Sequence, residues 1–523
     1  MKVKNVYIPI AIAAIFAAGL WLGNALQSSD QLVSASSVKK RKLNNLIDII
    51  DQRYVEKVDT DSIVDVTVNG ILETLDPHSV YIPANDAEDV TSSMRGNFVG
   101  IGVQFYVRDD TIAVLNAIAH GPSKRAGIKA ADRILYADSE PLFGKASGNT
   151  DVLKGKKGST VVLGILKPGA SNITNITVTR DRIPLPSIDA AYMLTDKLGY
   201  IKINRFSETT AAEFDKAIDG IVRKGAQEMV LDLRDNSGGV LAAAVSIADE
   251  FLKKKQLIVF QKDRNNQRTN SYATSAGSFQ DKKVYILMNE NSASASEVVA
   301  GALQDNDKGT IVGRRSFGKG LVQQEIKLGD GSAVRLTVAR YYTPTGRSIQ
   351  RPYDNGSETY FNDYITRYKN GELQDADNIV VNDSLRKVTP GGKVVYGGGG
   401  IIPDVFVPSP SDYIAQTLDY YAKTGFANQY INRYLQKEGA YLRGMSLAKF
   451  MSSYEPPLGL VQGFIGYAQL YNTSIKLPGY QLDIERILKA ALADQLYGKE
   501  QSVKLLNQRD SDVQKVISLS NQR

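Results

Sequence analysis

The chain has 523 residues, enough for about two to four domains with separate cores, and its 43% hydrophobic and 23% charged residues are ordinary for a globular protein. A formal charge of +7 is spread along the chain, and its basic clusters (Lys39 to Lys42, Lys156-Lys157, Lys253 to Lys255) lack interleaved aromatics, so they read as solvated faces with no nucleic-acid partner. With no cysteine and only His78 and His120, thiol catalysis, disulfides, thiolate metal sites and multi-histidine zinc sites are excluded, and neither cofactor nor metal is expected.

Residues 1–30 begin Met-Lys-Val-Lys and run apolar from Val6 to about Leu26, a length that suits a membrane-spanning helix. Lys2 and Lys4 predict a cytoplasmic N-terminus, and no small-x-small cleavage site precedes Gln27, so an uncleaved anchor is favoured over a cleaved signal peptide. Either reading puts the remaining chain outside the cytoplasm. Residues 31–93 form an N-terminal helical region, with Leu43, Leu46, Ile47, Ile50 and Val55 at helical spacing. Pro77 and Pro83 end that pattern, and His78 reads as a residue that structures a turn or an interdomain seam.

From 94 to 182 the pattern changes to short strands and glycine turns. G96-N-F-V-G-I-G-V-Q-F105 is a glycine loop entering an alternating strand, followed by strands at T111-I-A-V-L, V161-V-L-G-I-L and N172-I-T-N-I-T-V-T-R. A glycine loop beside an open strand edge suits capture of a peptide C-terminus, the loop amides taking the carboxylate while the peptide adds a strand. The stretch resembles a PDZ domain. Gly100, Ile101, Gly102 and Val103 stand at the carboxylate-loop position, and Ala131-Asp132 stands where that family carries Gly-Asp.

Residues 183–408 alternate strands and helices, which predicts a layered α/β domain with much parallel sheet. E228-M-V-L-D-L-R is followed by D235-N-S-G-G239 and an apolar helix, and V284-Y-I-L-M-N by Ser294 and another helix. Both turns fall at carboxyl ends of strands, where such sheets bind ligands. A333 to Tyr342 pairs with Leu321 to Lys327 through a turn at 328–332, and residues 355–396 read as an inserted loop or flap. Residues 409–523 are helical and carry no recognisable chemistry.

Ser294 precedes an apolar helix with Glu297 three residues on, the capping-box pattern. The same position gives a nucleophile: helix N-terminal amides favour negative charge, so the Ala295 N–H and a Gly238-Gly239 donor can serve an oxyanion. With both histidines placed elsewhere, lysine is the obvious candidate for a base, and burial would have to lower its pKa by roughly three units; by itself Lys319 reads as a surface lysine in a glycine turn. Lys319, beside Phe317 and between glycines, fits such a site, and the amide of Gln323 can orient it.

Seven stretches now carry a resemblance: L75-D-P-H-S-V-Y81, G96-N-F-V-G-I-G-V, D232-L-R-D-N-S-G-G239, S292-A-S-A-S-E297, S316-F-G-K-G320, Y342-T-P-T-G-R-S-I-Q350 and G400-I-I-P-D404. In this order they resemble the C-terminal processing peptidases, tail-specific serine proteases with an embedded PDZ domain. The resemblance implies a multidomain α/β fold, a ClpP/crotonase-like layered protease core with a PDZ-like β domain and helical N- and C-terminal regions. It implies Ser294 as nucleophile, Lys319 as base and Gln323 as its positioner, with Gly239 and Ala295 forming the oxyanion hole and Gly238 a weaker donor. Lys154-Gly155 stands where the family often has Arg-Gly. Protein substrates with exposed C-termini, a periplasm-facing inner-membrane anchor (or secretion), and a homodimer or adaptor through helices at 38–56 or after 408 complete the expectation. The rival readings are a non-catalytic PDZ scaffold and an acyl-thioester hydrolase or isomerase on the same architecture.

Overall fold

The computed structural model describes residues 35–108, 110–118, 120–144, 148–471 and 479–522. The expected anchor, Val6 to Leu26, lies outside them, and among the described residues no helix is long and apolar enough to cross a membrane. Two compact units part between Leu75 and Asp76. The first holds helices Ala35–Arg53 and Thr60–Glu73, the second of them capped by the Asp59 carboxylate. Leu46, Ile49 and Val66 are exposed, and Val55 lies past the end of its helix. In the second unit Val80–Ile82 runs antiparallel to residues 333–335, and the helix Ala84–Arg95 follows it.

The layered α/β part of the second unit is organised on a six-stranded sheet in the order Ile188–Met193, Leu198–Ile203, Glu228–Asp232, Lys283–Met288, Gly309–Gly313, Val405–Phe406. Only the first pair is antiparallel. Side chains alternate across each strand, so both faces must be covered. Met229, Leu231 and Ile286 pack under the helices Thr210–Arg223, Leu241–Asp249 and Ala295–Asp305. Val230, Tyr285 and Leu287 face Val503, Val513 and Val516 of the C-terminal helices Lys499–Asn507 and Ser511–Asn521. Each fully buried aliphatic side chain contributes roughly 1.5–3 kcal/mol. A second, five-stranded sheet contains Leu321–Lys327 paired antiparallel with Ala333–Tyr342, as the spacing predicts.

The small β domain is a six-stranded antiparallel sheet in which Val103–Arg108 is an edge strand, paired among the described strands with Thr111–Ala117, while its Tyr106 hydroxyl donates to the Gln429 carbonyl and to Asn432. Ala131, where glycine was the family residue, adopts a left-handed φ of 71°. A non-glycine residue there costs of order 1 kcal/mol and needs support. The C-terminal helices supply it: Ala131 is buried among them, and its carbonyl accepts from the Gln436 amide at 2.9 Å. Asn432 donates to the Val114 carbonyl at 2.9 Å. The same C-terminal region reaches the layered core, where Asp510 and Asp512 bind the buried Arg234 guanidinium at 2.9 and 2.8 Å.

The segment 355–396 is not the loose flap expected. Its helices Ser357–Phe361 and Asp363–Lys369 pack down onto the core through Tyr360 and Arg367, 3% and 2% exposed. The buried Arg367 guanidinium donates to the carbonyls of Arg315, Ser316 and Phe317, contacts that an open loop does not make.

Candidate functional site

The parallel strands Glu228–Asp232 and Lys283–Met288 are neighbours in register, so the turns that leave their carboxyl ends meet. One turn carries Gly238 and Gly239, the other Ser294. Contact between them is close enough that a Cβ built on Gly238 would lie 2.8 Å from both the Ser294 Cβ and the Ala295 nitrogen. A Cβ on Gly239 would lie 1.9 Å from the Phe206 carbonyl oxygen, and both glycines have positive φ, 100° and 140°. Only glycine fits at either position.

The Gly238 N–H is consumed by the Asn236 side chain at 2.9 Å. Among the described residues, the Gly239 N–H donates to no group, and Ala295, the first residue of its helix, has no intrahelical acceptor for its N–H. Two free amides therefore flank Ser294. Asn236 fixes the glycine turn by donating to the Ile203 carbonyl at 2.9 Å, while its own carbonyl accepts from Ser296 at 2.8 Å.

Ser294 has φ 54° and ψ −113°, a strained conformation for a residue with a Cβ. The capping-box acid does more than its pattern implies. Glu297 is fully buried; one oxygen accepts from the amides of Ser294 and Lys319, each at 2.9 Å, and the other from the Ser316 hydroxyl at 2.5 Å and the Gly318 amide at 2.7 Å. Burial pushes its carboxyl up from the ordinary range, opposed by these four bonds. One carboxylate thus joins the serine turn to the lysine loop. The S-x-x-E spacing marked Glu297, but only as a helix cap.

Lys319 donates its Nζ proton to Gln323 Oε1 at 2.8 Å, and its carbonyl accepts from the Tyr341 hydroxyl at 2.6 Å. Burial first, then the Arg335 charge, brings its amine down to about 8, against the pull of Asp76 and Glu297. Gln323 follows a β-bulge after Val322, a device that re-aims a side chain, and its amide nitrogen donates to the His78 carbonyl. His78 itself is brought down to about 4 by burial and by Lys319, so it is neutral near pH 7, with Nε2 bonded to the Tyr360 hydroxyl at 2.8 Å. Nothing in the sequence pointed to the His78 carbonyl. His120 lies in the β domain, its carbonyl accepting from Arg125 at 2.5 Å.

Ser294, Lys319, Gln323, Gly239 and Ala295 all line one cavity of about 1130 Å³. No hydrogen bond joins the Lys319 amine to the Ser294 hydroxyl among the described residues. No cluster of His, Asp and Glu there is placed to hold a metal. Gly100 to Val103 are not brought to this cavity; they lie in the β domain. The carbonyls of Ile101 and Gly102 accept from Ser123 and Ile118, both at 3.0 Å, Gly100 bridges Lys154 on the side away from Asp181, and the Gly102 N–H donates to nothing described. Lys154 ties this domain to the helix Ala84–Arg95 through Asp89 at 2.6 Å, and Ser93 and Met94 of that helix line the catalytic cavity.

Residues 197–355 match peptidase family S41, residues 99–178 the PDZ domain, and residues 13–86 the N-terminal domain of the activating protease CtpB. The chain is 35% identical over 346 residues to a carboxy-terminal-processing protease of Bartonella bacilliformis, covering 64% of this chain and 79% of that protein. It is 33% identical over 334 residues to the carboxy-terminal processing protease CtpB of Bacillus subtilis, covering 62% and 69% respectively. Among solved structures it is similar to a photosystem II D1 C-terminal processing protease, 25% identical with a TM-score of 0.36 over 70% of this chain and 88% of that one.

Proposed function

The chain belongs to peptidase family S41 as a serine-type C-terminal processing peptidase with a PDZ domain, and we propose that its hydrolysis runs through Ser294, Lys319 and Gln323. The neutral Lys319 amine takes the Ser294 Oγ proton as the oxygen attacks the scissile carbonyl. The developing oxyanion is met by the Gly239 and Ala295 N–H groups, whose freedom from other acceptors makes them preorganised donors. The ammonium of Lys319 returns its proton to the leaving amine, and water, deprotonated by the same lysine, releases the acyl group from Ser294. Gln323 holds the lysine in place between these steps. What carries the reading is convergence: two free amides, a serine and a buried lysine of lowered pKa line one cavity.

The PDZ domain receives the substrate's C-terminus. The N–H groups of the Gly100 to Val103 loop, that of Gly102 first, take the terminal carboxylate, and the tail adds as a strand to the edge that starts at Val103. An envelope location, anchored in the inner membrane by residues 1–30 with the protease facing the periplasm, follows from the apolar N-terminal stretch and its lysines. The apolar residues exposed on the first unit (Leu46, Ile49 and Val66) are given to a protein partner, a second copy or an adaptor. The catalytic test is direct. Ser294→Ala and Lys319→Ala each abolish cleavage of an unfolded tail peptide while circular dichroism stays native; turnover retained in either purified variant overturns the mechanism.

A further inference from the structure

The loop that ends in Lys319 is held from two sides. Glu297 takes its amides at Gly318 and Lys319. Its carbonyl side is held by Arg367 of the inserted segment, which donates to the carbonyls of Arg315 at 3.0 Å, Ser316 at 2.9 Å and Phe317 at 3.4 Å. Asp363 lies 2.6 Å from the Arg367 Nε, and Glu372 binds Arg315 through two 2.6 Å contacts. A planar guanidinium with five fixed donors can span successive carbonyls in a way no other side chain can.

The far end of the lysine's hydrogen-bond chain returns to the same segment. Lys319 donates to Gln323, Gln323 to the His78 carbonyl, and the His78 ring is bonded to the Tyr360 hydroxyl. That hydroxyl also accepts from the Gln350 amide at 3.2 Å. Tyr360 and Phe317 meet edge to face, and the Arg351 guanidinium stacks on both rings at 3.9–4.0 Å, closing the space behind the lysine loop.

We propose that residues 357–372 are a support for the catalytic base, with Arg367 and Tyr360 as positioning residues that keep the Lys319 amine fixed and dry. The proposal rests on Lys319 being the base. The titratable and charged groups that face the lysine are Arg335 on its strand, Asp76 and the neutral His78 in the turn before Ser79, Glu297 on its helix, and Glu325 in the cavity wall. None of these belongs to the segment. Changes in the segment therefore reach the lysine through position and hydration, not through a new charge.

The experiment measures kcat and KM of the full chain on an unfolded tail peptide from pH 6 to 10.5, for wild type, Tyr360→Phe, Arg367→Met and Lys319→Ala. Tyr360→Phe keeps the ring and its packing, so it folds even if Arg367→Met does not. If the support holds the amine dry, loosening it lets water in, and the acid limb of kcat moves up by about one pH unit, a tenfold loss at pH 7 that is recovered at the alkaline plateau with KM unchanged. A variant that lowers the rate by one factor at every pH, with the limb in place, shows a structural role alone and overturns the proposal. So does a profile identical to wild type in both variants. An active Lys319→Ala instead overturns the reading of the base itself.

Discussion

Glu297→Gln is the substitution that tests most sharply how the serine turn and the lysine loop are held together. Glutamine has the same shape, but only one of its two terminal atoms accepts. With its oxygen in the place of Oε2 it keeps the Ser294 and Lys319 amides, and its NH2 can donate to Ser316 Oγ; the Gly318 N–H is then stranded in a fully buried site. One buried donor left unmet costs roughly 1–3 kcal/mol, and losing the charge from the remaining bonds adds about 1 kcal/mol, so a destabilisation of about 2–4 kcal/mol is expected. The change does not touch the substrate, so KM stays within about twofold. Displacement of the serine and lysine loops lowers kcat by about 10–100-fold, the range associated with small misplacements of catalytic groups. Urea unfolding followed by circular dichroism gives the stability, and steady-state cleavage of an unfolded tail peptide gives kcat and KM. A variant within 0.5 kcal/mol of wild type and of unchanged kcat refutes the assignment, with about 0.5 kcal/mol being the ordinary scatter of harmless substitutions.

The pH dependence of kcat follows from the lysine. With its amine brought down to about 8, about a tenth is neutral at pH 7, so activity rises about fivefold from pH 7 to 8 and levels above about pH 9. A rate that falls through pH 8 contradicts a neutral-amine base. Gly239→Ala places a methyl group against the Phe206 carbonyl and displaces an oxyanion donor, and a loss in kcat of about 100–1000-fold is expected in the same peptide assay. Retention of more than a tenth of the activity refutes the role of that amide. Finally, a substrate whose C-terminal carboxylate is amidated should bind the Gly100 to Val103 loop about tenfold more weakly by calorimetry, the loss of one charged hydrogen-bonding group. Equal affinity for acid and amide removes the carboxylate from PDZ recognition.

The proposed reacting groups were named without coordinates by the seven ordered stretches that resemble the family; by local pattern alone Ser294 reads as a helix cap and Lys319 as a lysine in a glycine turn. Ser294 lies at a strand-to-helix turn, Gly238-Gly239 at another, and Lys319 sits between glycines; alternation of strands and helices then implied that the turns share one sheet end. The open edge at Val103 and the pairing of Leu321–Lys327 with Ala333–Tyr342 also follow from local pattern. What the tertiary structure decided are contacts between residues far apart in the chain, which leave no periodicity. A capping glutamate becomes the joint between two catalytic loops because Ser316, Gly318 and Lys319 arrive beside it. A turn histidine holds Gln323 through its backbone carbonyl, an atom every residue possesses, so residue identity did not reveal it. Residues 355–396, polar and unpatterned, read as a flap because a buried arginine and an exposed one look alike until the carbonyls it meets are in place. Ala131 is tolerable at positive φ only because Gln436, some three hundred residues later, takes its carbonyl. The sequence names the chemistry; the geometry that lowers the pKa of its lysine is assembled by the fold.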